Sequence, residues 1–272
     1  MRSLDEIKKY YPENLWGFSE NILREYLQCQ ILEIIFDLKL SEKLSFLGGT
    51  AIRIIHKSER FSLDVDFDNF NLSKEEFEKI GRELKSKLIL EGYNFELGLN
   101  IQMGVFHYTI KFNELLHKNS LTPHKNEKLI IKLDTQAHNF NYKPEIFLLK
   151  QFDIQTFIRV TPIDILLSQK ICALLDRKRK LGRDFYDVTY LSSLAKPNYN
   201  YLKEKIGIKQ SKELKEILLR ECKRINFEEL AKDVQPLVFN SIIRFCLYNI
   251  RGNDYIFFKQ KYRYKVLWVF SF

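Results

Sequence analysis

The sequence predicts a two-part α/β fold, with a mixed-sheet half over residues 1–160 and a helical half over residues 161–272. Three observations lead there. Ser62–Asp68 (SLDVDFD) alternates strictly between polar and apolar residues, as a half-buried strand does. Ser19–Lys39 carries Ile22, Leu23, Tyr26, Leu27, Ile31, Leu32 and Ile35, the spacing of a helix with one buried stripe. From Thr161 onward the strand patterns stop and helical spacing takes over.

The elements follow in order. Ser19 with Glu20 behind it starts the first strong helix. Leu44–Leu47 is a short strand running into Gly48-Gly49, and Thr50–His56 reads as the first turns of a helix. After the SLDVDFD strand a charged helix covers Ser73–Leu90. Asn94–Asn100 and Val105–Phe112 form a hairpin around Gln102-Met103-Gly104. Leu129–Asp134 (LIIKLD) and Gln155–Val160 are further strands.

In the helical half, Thr161 is expected as the N-cap, Pro162 as the first helical residue and Asp164 as an early acid, in a helix reaching about Lys180. A break at Leu181-Gly182 precedes a helix from Asp184 to about Leu194. Others are expected over Lys212–Arg224, Phe227–Asp233 and Val238–Asn249. The final stretch, YIFFKQKYRYKVLWVFSF, alternates basic and aromatic residues and fits either a packed strand or a nucleic-acid contact.

Composition narrows the classes. A hydrophobic fraction of 45% and a charged fraction of 29% are ordinary for a soluble globular chain. No run approaches the roughly 20 apolar residues of a membrane span. The opening MRSLDEIKKYYPENLW has early acids and no apolar segment of the signal-peptide kind, so a cytoplasmic location is expected, with no membrane partner. Cys29, Cys172, Cys222 and Cys246 form no CxxC pair, and the five histidines form no HxH or HExxH pattern. A zinc site or redox dithiol is therefore not the reading, and the thiols are expected to be reduced and partly buried. The net charge of +9 permits a polyanionic partner, but the lysines are spread along the chain rather than clustered.

The chemistry concentrates elsewhere. Asp64 and Asp66 are two apart on one strand face, about 7 Å from each other, a spacing that lets two carboxylates share divalent cations. The alternative is a solvated strand edge. Gly48-Gly49 sits where a strand becomes a helix, a geometry in which backbone N–H groups face an anion and absent side chains let it come close. Asp134 ends the LIIKLD strand; if that strand neighbours SLDVDFD it completes a carboxylate triad, and otherwise it is a strand-end acid. Lys170 projects from the apolar face formed by Ile163, Leu166, Leu167, Ala173 and Leu174. A lysine there needs a phosphate, the preferred reading, or an acid such as Asp184 or Asp187. Arg177 lies on nearly the same stripe and could assist.

The run FLGGTAIRIIHKSERFSLDVDF resembles the signature of the AbiEii/AbiGii toxin family, the toxin halves of AbiE-type toxin–antitoxin pairs within the DNA polymerase β-like nucleotidyltransferase superfamily. Gly48, Gly49, Thr50, Ala51, Arg60, Phe61, Ser62, Asp64, Asp66 and Phe67 match the first motif, with Ile52 and Val65 in place of the usual leucine and isoleucine. Lys170 followed by Arg183, Asp184 and Asp187 matches the second. The resemblance covers about residues 20–195.

It implies a mixed-sheet nucleotidyltransferase core and transfer of a nucleoside monophosphate from an NTP to RNA. The tRNA 3′ end is the leading acceptor, and the outcome is growth arrest and phage defence. Mg²⁺, with Mn²⁺ as a substitute, is the implied cofactor, and a cognate antitoxin protein the implied partner. In that scheme Gly48, Gly49, Thr50, Arg60, Ser62, Lys170 and Arg177 contact nucleotide, while Asp64, Asp66 and Asp134 hold the metal. Asp134 could instead serve as base, and Asp184 or Asp187 is catalytic or positions the nucleotide. Two other readings use the same residues: a nucleotidyltransferase with a small-molecule or protein acceptor, and a non-catalytic module that holds RNA or a partner.

Overall fold

The computed structural model describes residues 2–102 and 104–239. Two compact units divide the chain, one of residues up to 57 with 61–161, the other of residues 58–60 with those from 162 onward.

The first unit opens with α1 (Leu4–Lys8), α2 (Ser19–Phe36), β1 (Leu44–Leu47), α3 (Gly48–Ile54), β2 (Val65–Asn69) and α4 (Lys74–Leu90). It continues with β3 (Phe95–Gln102), β4 (Val105–Phe112), α5 (Leu115–Lys118), β5 (Leu129–Gln136), β6 (Glu145–Gln151) and β7 (Ile154–Val160). The strands form one seven-stranded mixed sheet in the order β3-β4-β5-β2-β1-β7-β6. β2 runs parallel to β5 and β1 parallel to β7, while the other neighbours are antiparallel. The alternation of β5 and β7 is that of strands with one buried face.

Every apolar residue expected on the α2 stripe is buried, and the helix packs on β7 and β5. Its central polar residues are buried as well, and each has partners. Glu25 accepts from Tyr11, Arg53 and Gln151, and Gln30 bonds Tyr26 and Tyr93. Such groups cost little when their hydrogen bonds are complete. α4 starts with a capping box between Ser73 and Glu76, and Lys43 reaches the Glu76 carboxylate at 2.6 Å.

The second unit carries α6 (Ile163–Asp176), α7 (Gly182–Ser192), α8 (Tyr199–Ile206), α9 (Ser211–Cys222) and α10 (Phe227–Val234). Four expectations need correction. SLDVDFD forms a strand only from Val65, so Ser62 and Asp64 lie in the approach to β2. Pro162, not Thr161, is the α6 N-cap, because the Thr161 hydroxyl is taken by Ser45 and Tyr142. α6 stops at Asp176 rather than near Lys180, whose ammonium turns back to the carbonyls of Leu174 and Leu175. Val238 is extended and bridges to Arg60 instead of starting a helix.

Residues 240–249 of that expected helix, Cys246 among them, and the basic–aromatic stretch lie outside the described residues, as does Met103. Cys29, Cys172 and Cys222 are free thiols, the first two buried. No helix among the described residues is long and apolar enough to cross a membrane.

Candidate active site

In the first unit the sheet register builds a row of side chains. Asp66 on β2 stands opposite Asp134 on β5, and Asp134 stands opposite His107 on β4. Leu47, which ends β1, is opposite Asp66 on the other side, and the chain then turns into α3 at Gly48. Partners across a ladder point to the same face, about 4.8 Å apart along the hydrogen-bonding direction. Asp66 and Asp134 are therefore neighbours, and both are partly exposed.

Gly48 is what lets the Asp66 carboxylate sit here. A Cβ on Gly48 would lie 2.1 Å from Asp66 Oδ2, and the Gly48 backbone has φ +79°, the left-handed region that glycine alone enters without strain. A Gly48→Ala variant is expected to lose about 1–3 kcal/mol from backbone strain alone, before the displaced carboxylate is counted. Chemical denaturation measures this. A variant as stable as the wild type would mean that the turn relaxes and the close approach is not required.

The approach to β2 is fixed by two side chains. Gln28 donates to the Ser62 carbonyl at 3.0 Å, and the Thr50 hydroxyl donates to the Asp64 carbonyl. Thr50 is fully buried, and its hydroxyl holds the main chain at Asp64. Asp68, the next acid on the strand, plays a different part. It is buried and accepts from the His138 amide, the Asn69 amide and the Tyr142 hydroxyl, which spends its carboxylate on structure.

Among the described residues, no three His, Cys, Asp or Glu side chains are gathered ready for a metal ion. The arrangement present is of a two-carboxylate kind. Asp66 and Asp134 offer hard oxygen donors on adjacent strands, and the side-chain-free space at Gly48 admits one of them. Mg²⁺ is commonly held by one or two carboxylates together with waters and phosphates, so these residues fit such an ion.

The second unit holds the other expected residues. Arg60 donates from Nε and Nη2 to the two oxygens of Asp187, each at 2.6 Å, and Lys170 Nζ lies 2.9 Å from Asp187 Oδ2. Arg60 and Asp187 are essentially inaccessible, whereas the Lys170 side chain is 15% exposed. Two cations thus share one carboxylate, and Lys170 carries the surplus charge outward. Arg177 Nη1 lies 3.2 Å from Asp184 Oδ2, within ion-pair reach but without hydrogen-bond alignment, and neither oxygen of the buried Asp184 accepts a hydrogen bond from the described residues. Asp184 is in the first turn of α7, although Leu181 rather than Asp184 is the N-cap.

His107 is the residue that sequence reasoning passed over. Its Nδ1 lies 2.7 Å from Asp134 Oδ1. Counting histidines for metal-binding patterns could not find it; pairing the expected strand at Val105–Phe112 with LIIKLD in register would have.

A family model described as "Nucleotidyl transferase AbiEii toxin, Type IV TA system" matches residues 30–250. Among solved structures, JHP933 from Helicobacter pylori is 18% identical over 78% of each chain, with a TM-score of 0.47. An antigenic nucleotidyltransferase-like protein from Paracoccidioides brasiliensis is 16% identical over 79% of this chain and 94% of its own, with a TM-score of 0.44. No curated protein matches significantly in sequence.

Proposed function

The chain belongs to the AbiEii toxin nucleotidyltransferase family, and from that premise we propose that it moves a nucleoside monophosphate from an NTP to an RNA acceptor, the tRNA 3′ end foremost. The observation that carries the reading is the placement of Asp66 beside Asp134, with Asp66 seated in the space that Gly48 leaves. In the reaction the acceptor hydroxyl oxygen bonds to the α-phosphorus, the bond from that phosphorus to its bridging oxygen breaks, and pyrophosphate leaves.

Asp66 and Asp134, which already stand side by side, would hold the divalent cation, and Asp64 is proposed as the third ligand. When bound, such a cation supplies Lewis-acid neutralisation of phosphate charge. Asp134 is also placed to take the hydroxyl proton, should it serve as base rather than ligand. Gly48, Gly49 and Ser62 offer main-chain and hydroxyl donors for phosphate oxygens. In the second unit Lys170 is the cation proposed to meet phosphate, because Arg60 already matches the charge of Asp187. On this reading Arg60, Asp184, Asp187 and Thr50 support the groups that act, and Arg177 assists through its ion pair with Asp184. Membership of a toxin–antitoxin family implies a cognate antitoxin, and growth arrest as the outcome.

The test is a transfer assay with purified protein, Mg²⁺, each labelled NTP in turn and total tRNA. Label is expected on RNA with the intact protein and not with the Asp64→Ala Asp66→Ala double variant. Label on a protein or small molecule instead would replace the acceptor. An intact protein that binds no NTP would favour a non-catalytic module.

A further inference from the structure

We propose that His107 is a positioning residue for Asp134: its imidazole N–H holds one carboxylate oxygen so that the other is presented to the divalent cation. The inference rests on the reading of Asp134 as a metal ligand. Register is what creates the pair. His107 and Asp134 are separated by 27 residues but stand directly opposite on β4 and β5, with Asp66 next in the row on β2. The Nδ1–Oδ1 distance is 2.7 Å, and the two side chains are 33% and 34% exposed, so the pair lies where a ligand can reach it.

An ionised carboxylate can only accept, so Nδ1 carries the hydrogen in this contact. The hydrogen bond engages Oδ1 and leaves Oδ2 available. An imidazole suits this task because a single ring N–H, held at a fixed angle by the ring, can orient one carboxylate oxygen without covering the other. Groups that hydrogen-bond a metal-binding carboxylate fix its direction, and their removal costs about 10–100-fold in metal affinity. The opposite strand is a stiff place from which to do this. β4 is hydrogen-bonded on both sides, by β3 and β5, and Tyr108, next to His107, is stacked on Phe77 with ring centroids 4.6 Å apart.

Mn²⁺ binding to the full chain, read by electron paramagnetic resonance of the unbound ion, tests the proposal without reference to turnover. His107→Leu removes the donor and is expected to weaken Mn²⁺ binding about 10–100-fold. His107→Asn places an amide N–H close to where Nδ1 stands and is expected to stay within about threefold of wild type, whereas His107→Gln, whose donor is one bond further out, is expected to bind weakly. Should the leucine variant fail to fold, the asparagine–glutamine contrast decides, and equal affinities in those two overturn the proposal. Wild-type affinity in His107→Leu with loss of binding in Asp134→Asn overturns it while sparing the metal-ligand reading. Undiminished binding in Asp134→Asn removes the metal-ligand reading itself, and the role of His107 with it.

Discussion

An Asp66→Asn variant is expected to lose at least about 10²–10³-fold in transfer rate, the scale on which one preorganised electrostatic group contributes to catalysis, while folding as the wild type does. Asparagine has nearly the same shape, so it still fills the space beside Gly48. What disappears is a full negative charge next to Asp134. Like charges directly opposite across a ladder repel, so neutralising one removes that repulsion. Activity and stability should therefore part company: the rate collapses while the fold is kept. Initial rates of label transfer and a thermal melt on the same preparation measure both. A variant that keeps more than about a tenth of the wild-type rate, far above the loss expected for a charge at the reacting centre, would remove Asp66 from the chemistry.

The second large effect concerns stability. Asp187→Asn is expected to cost about 3–5 kcal/mol, because it removes a fully buried carboxylate that pairs with both Arg60 and Lys170. The effect depends on pH in a definite direction. Burial alone would raise the Asp187 carboxyl, but the Arg60 guanidinium and then the Lys170 ammonium outweigh it and hold it below the ordinary carboxylate range. A folded value below the unfolded one means that the stabilisation is complete above about pH 4 and is lost as pH falls further, through the folded value. The gap between wild type and variant should thus be widest near neutrality and narrow toward pH 3. Urea denaturation at the two pH values measures it; a gap that stays constant would show that the pair does not titrate as its geometry requires.

Sequence periodicity locates most of the sheet and the long helices, because those elements bury one regular face. Leu44–Leu47 and the α2 stripe are cases where pattern and burial coincide. β6 escaped because it lies at the sheet edge, where Ile146 and Leu148 stay exposed and no alternation develops. Thr161 was misread as a cap because its hydroxyl has tertiary partners, Ser45 and Tyr142, that no local rule supplies. The candidate site divides in the same way. Glycines and acids clustered within twenty residues are legible as a motif, whereas the Asp134–His107 contact exists only once strands far apart in sequence are in register. Sequence also raised Asp187 as a partner for Lys170, but it gave no sign that Arg60 would grip the same carboxylate with two bonds.

The three residues 58–60 belong with the second unit although they are made long before the rest of it. Arg60 precedes its counter-ion by 127 positions, an interval of roughly 6–25 s on a ribosome adding about 5–20 residues per second. The N–H that reaches the Glu59 carbonyl arrives later still, from Phe239. A nascent chain therefore displays the glycine pair and both motif aspartates well before the second unit can close around Arg60. Translation that stops short of Asp187 leaves Arg60 without this counter-ion, so the buried ion pair of the second unit is completed only late in synthesis.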